Sequence, residues 1–72
     1  MEAQEIAKLE NYMRWKFQLP TIEIRRRPQK SDSCEVYIGD EFIGLIFRDD
    51  DDEDLSWNFQ MAILEFDLDL PG

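Results

Sequence analysis

Histidine is missing from this 72-residue chain, cysteine occurs once and glycine three times. Each scarcity removes a class of chemistry. Without histidine there is no Ser–His or Cys–His pair to activate a nucleophile, and no imidazole for a structural zinc. The single Cys34 cannot close an internal disulfide, so no staple supports a chain of this size. Gly39, Gly44 and Gly72 form neither a GxGxxG fingerprint nor a Walker loop. No apolar run approaches the ~18–20 residues needed to span a bilayer, and no secretory apolar region opens the chain. One thiol and no export signal fit a reducing cytoplasm. With no assembled acid–base or nucleophilic constellation, the expectation is a non-enzymatic protein with no cofactor and no metal.

Basic residues are scarce over most of the length. Residues 1–30 carry seven Lys/Arg against four Glu, a net +3, whereas residues 31–72 carry only Arg48 against thirteen Asp/Glu, a net −12. The total of −9 disfavours duplex DNA or an anionic membrane as the main ligand. The one basic cluster is Arg25, Arg26, Arg27 and Lys30. Beside Tyr37 and Phe42 it resembles a single-strand platform, which makes a nucleic-acid-binding accessory protein the alternative function. Net charge favours a different use, the neutralising of acidic residues on this chain or on a second copy. The acidic block Asp49–Asp54 has alternate carboxylates but Asp54 and Gln60 where a calcium loop needs glycine and glutamate, so it reads as a solvated loop.

What is present is a hairpin, Ser33–Phe47, around which the rest is placed. A two-residue turn at Gly39-Asp40 pairs Ile38 with Glu41, Val36 with Ile43 and Cys34 with Leu45. Alternation then puts Cys34, Val36, Ile38, Ile43, Leu45 and Phe47 on a core face, and Glu35, Tyr37, Phe42, Gly44, Ile46 and Arg48 on an outer one. Ahead of it, Glu2–Phe17 reads as a helix with the stripe Ile6, Leu9, Met13 and Phe17, Tyr12 beside it, ended before Pro20. Trp15 falls opposite the stripe, either as a boundary residue or as an exposed contact. Thr21–Arg27 is a strand with Ile22 and Ile24 inward, stopped by Pro28 and followed by a polar connection to Asp32.

From Leu55 the pattern Trp57, Phe59, Met61, Ile63 is a strand with one apolar face, after which the phase flips to Leu64, Phe66, Leu68 and Leu70. A bulge near Ala62–Leu64 or a short helical turn would each absorb the slip. Pairing Leu45 with Phe59 and Ile43 with Met61 keeps Asn58 and Gln60 outside, where they need no buried partner. The fold class is therefore α+β: residues 1–72 form a single domain, an N-terminal helix on one face of a four-stranded antiparallel β-meander.

Function then rests on surfaces. Tyr37, Phe42 and Ile46 on the outer face, flanked by Asn58 and Gln60, make either an ordinary cross-strand cluster or a protein-binding patch. The sequence points to a small protein-interaction or self-association module, with two copies packing through Phe42, Ile46 and the Leu64–Leu70 tail.

Three stretches also resemble a family of small alphaproteobacterial proteins of unknown function. They are QEIAKLENYMRWKF at the start, EVYIGDEFIG at Glu35–Gly44 with the acidic loop after it, and NFQMAIL at Asn58–Leu64. The resemblance covers nearly the whole length. It implies a full-length, stand-alone bacterial member and no activity, ligand or catalytic residue.

Overall fold

Four antiparallel strands in chain order, β1-β2-β3-β4, form one sheet with a helix laid across one of its faces. The computed structural model describes residues 1–51 and 54–69. In order these are α1 (Ala3–Phe17), β1 (Ile22–Arg27), β2 (Lys30–Ile38), β3 (Glu41–Asp49), β4 (Ser56–Gln60) and a closing 3-10 turn, Glu65–Asp69. The expected α+β meander is the observed fold. Asp52 and Glu53 of the acidic block, and Leu70 of the tail, lie outside the described residues.

Helix α1 starts where the Glu2 amide donates to the Glu5 carboxylate, 3.4 Å away, satisfying a backbone donor that the helix leaves unpaired. It stops at Gln18, which takes a left-handed φ of 52° while Leu19 donates its amide back to the Arg14 carbonyl at 3.0 Å. Pro20 then forbids another turn. Met13 is buried, and Ile6 and Leu9 pack beside it against Ile22, Ile24, Cys34, Val36 and Ile46 of the sheet. Tyr12 and Phe17, though on the same stripe, are exposed because they overhang the β4 side of the sheet. Trp15 is 70% exposed, with its ring tilted against Tyr12 at 5.9 Å, so it is a surface residue.

The hairpin starts in the expected register, Ile38 opposite Glu41 and Tyr37 opposite Phe42, and then departs from it. Val36 faces Gly44 rather than Ile43, and Cys34 faces Ile46 rather than Leu45. Ile43 is the extra residue of a β-bulge, and beyond a bulge every side chain changes face. Ile46 therefore belongs to the core, 3% exposed, while Leu45 and Phe47 turn outward.

The last pairing moves with it: Ile46 lies opposite Phe59 and Leu45 opposite Gln60, in place of Leu45 with Phe59 and Ile43 with Met61. Trp57 and Phe59 still face the helix, and Asn58 and Gln60 are still exposed, as the polar side chains require. Strand β4 ends at Gln60 instead of running through Ile63. There the Gln60 carbonyl crosses against Gly44, a position where a Cβ would collide with it. Met61 and Ile63 are exposed, and the phase change is absorbed by the helical alternative, in which Leu64 and Asp67 bond each other. The Leu64 amide donates to Asp67 Oδ2 and the Asp67 amide to the Leu64 carbonyl, both at 2.9 Å. At the other end, β2 begins at Lys30, so the polar connection from Gln29 shrinks to a tight turn at Pro28-Gln29.

Candidate protein-interaction surfaces

Among the described residues no second layer of helix or strand covers the outer sheet face. Its centre is Tyr37 and Phe42, direct cross-strand neighbours whose rings meet edge to face at 5.7 Å and 74°. Phe42 is 51% exposed. Of the five residues expected on this surface, Tyr37, Phe42, Asn58 and Gln60 share it and Ile46 does not. Leu45 and Phe47 take its place, opposite Gln60 and Asn58 respectively. A run in which Phe42, Ile43, Leu45, Ile46 and Phe47 are all apolar supports either phase, so no signal in the sequence separated Leu45 and Phe47 from Ile46.

The β1 flank of this face is charged and self-satisfied. Arg25 lies over the Tyr37 ring, 3.9 Å from its centre, and pairs with Glu23 at 3.0 Å and Asp40 at 3.5 Å. Its hydrogen bond holds the Glu23 carboxyl below the usual carboxylate range. The Tyr37 hydroxyl donates to Glu35 at 2.9 Å, and that bond raises the phenol above its ordinary value. Arg27 donates to Ser33, a buried hydroxyl, at 2.9 Å. Arg26 pairs with Cys34 and so faces the helix side, opposite to Arg25. The arginines are thus divided between two faces, and two of them already hold partners on their own chain.

The two edges of the sheet differ. On β1 the Ile24 amide donates to Glu10 Oε2 at 2.9 Å, and the Ile22 carbonyl accepts from Arg14 Nε at 2.7 Å. Glu10 and Arg14 are themselves paired at 3.1 Å, one turn apart on α1, so a helix-borne ion pair caps that edge. Among the described residues nothing bonds the outer backbone edge of β4. Here α1 stands back and leaves a groove of about 580 Å³ lined by Leu9, Tyr12, Phe17, Ile46, Trp57 and Phe59. Glu5 closes one end, accepting from Trp57 Nε1 at 2.7 Å and pairing with Arg48 at 3.4 Å.

Cys34 is buried, as its place on the hairpin implied, and desolvation pushes its thiol above the ordinary range. Among the described residues no group of three or more Cys, Asp or Glu side chains is arranged to hold a metal ion. No described helix is long and apolar enough to cross a membrane.

Comparison with curated proteins and with solved structures gave no match. A protein-family comparison did: residues 5–67, from the first turns of α1 to the closing 3-10 turn, match a family described as protein of unknown function (DUF3126). The matched stretch spans every strand of the sheet and both of its edges, and the chain belongs to that family.

Proposed function

We propose that this chain is a protein-association module that performs no catalysis of its own and whose partner is a second copy of itself. The supporting observation is the balance of apolar side chains. Among the described residues six hydrophobic side chains are buried, whereas ten large ones between Tyr12 and Leu68 are exposed. Nine of the ten lie on α1 or next to and after β4, Phe42 on the outer face being the exception, and exposed apolar surface concentrated in this way is what marks an interface. Covering each 100 Å² of such surface is worth roughly 2.5 kcal/mol at ~25 cal/mol per Å², before the costs of association. A lone buried thiol and the resemblance to alphaproteobacterial proteins favour a bacterial cytoplasm as the setting.

Sedimentation velocity over a concentration series, with circular dichroism on the same samples, tests the reading. The expected result is a concentration-dependent passage from monomer to dimer at unchanged secondary structure. A single monomeric boundary at the highest concentration overturns it.

A further inference from the structure

We infer that association proceeds edge to edge: β4 of one copy pairs antiparallel with β4 of a second, joining two sheets into one of eight strands. The inference rests on the self-association reading and names the surface that carries it. Three observations lead to it.

The first is the unequal treatment of the two edges. Glu10 and Arg14 occupy backbone groups of β1, so that edge is closed to another strand. Strand β4, SWNFQ, though only five residues long, carries no charge, no proline and no bulge in its pairing with β3, three of the devices that blunt an edge. Its outer backbone groups lack protein partners among the described residues.

The second is self-complementarity. Antiparallel pairing with the greatest overlap places a twofold axis at Asn58, perpendicular to the sheet. Ser56 then faces Gln60 of the second copy, Trp57 faces its Phe59, and Asn58 faces its own equivalent. Side chains opposite each other share a face, so aromatic meets aromatic on the helix side and neutral polar meets neutral polar on the other. Continuing the register sets Leu55 against Met61, two large apolar side chains that are exposed in the single copy. Within Leu55–Met61 of the two copies no like charges are brought opposite each other, and the antiparallel sense sends the two acidic loops to opposite ends.

The third is the position of α1. It stands back from β4 and leaves the apolar flank of Trp57 and Phe59 as the floor of a groove. The axis puts both helices on the same side of the joined sheet, so the two grooves face each other and each aromatic flank is extended by the other copy.

The test uses residue 58, which is exposed and contributes no core contact, so charge there spares the fold. Asn58→Lys and Asn58→Glu are each expected to weaken the dimer by up to about fivefold, because the axis sets two like charges side by side. An equimolar mixture of the two should restore association as a heterodimer. The Lys variant also lowers net repulsion between copies, so weaker association on its part reports local contact. Amide exchange at Ser56–Gln60 should slow as the parent's concentration rises. Phe42→Glu, a charge at another exposed position of the outer face, should leave the dimer intact. Dimers unaffected by both Asn58 variants but lost in Phe42→Glu overturn the edge pairing and leave self-association standing, through the outer face. A parent that stays monomeric overturns both.

Discussion

At Gly39 the backbone takes a φ of +61°, in the left-handed region, and a Cβ added there would have no atom within 4 Å. Space is therefore not the constraint, and any cost of substitution is one of backbone conformation alone. Asparagine tolerates this region and a β-branched residue does not. Gly39→Val is expected to cost about 1–2 kcal/mol more than Gly39→Asn, read from denaturant melts of the two variants. Equal melts would mean that the turn has been rebuilt in another form. This glycine was legible in the sequence because a two-residue hairpin demands a positive φ at a known place. Ile46 was not. With apolar residues at all positions from Phe42 to Phe47 except Gly44, alternation carries no phase, and a bulge at Ile43 decides the faces. One unread bulge displaced Ile46 from the candidate surface and hid Leu45 and Phe47.

Among the elements, α1 does two jobs. Its Met13 side fills the core, which the spacing of Ile6, Leu9 and Met13 announced, and its Glu10–Arg14 side seals the edge of β1. The second job was not legible. An i,i+4 Glu–Arg pair is ordinary on a helix, and only the tertiary placement brings it to the Ile24 amide and Ile22 carbonyl. A hydrogen bond to a charged acceptor is worth more than a neutral one, and Glu10→Ala leaves a strand amide without it. We expect a loss of about 1–3 kcal/mol in a denaturant melt, together with faster exchange of the Ile24 amide. Wild-type protection at Ile24 in the variant would show that the helix does not guard this edge. The end of β4 follows the same logic as the cap. Apolar alternation ran on to Ile63, but the approach of the Gln60 backbone to Gly44, a contact between residues distant in sequence, sets where pairing stops.

For the whole molecule the deciding quantity is charge. Each copy carries −9, concentrated beyond residue 31, so two copies repel wherever the field is unscreened. The Debye length shortens from about 30 Å at 0.01 M salt to about 8 Å at 0.15 M, which removes most of that repulsion. Pairing through β4 places no charged residue in the strand contact itself, so salt has no interfacial ion pair there to weaken. The dimer should therefore tighten several-fold between those two ionic strengths, measured as the dissociation constant from sedimentation at each salt concentration. Binding to nucleic acid through Arg25–Lys30 has the opposite sign, because counterions released from phosphates make such complexes weaken steeply as salt rises. So does an ionic dimer in which Arg25–Lys30 of one copy meets the acidic segment of the other. Dissociation on adding salt would thus identify ion pairs as the force between copies and sink the uncharged edge as their contact. Tightening on adding salt, with the Asn58 charge variants weakened and then rescued by mixing, is the joint outcome that edge pairing requires.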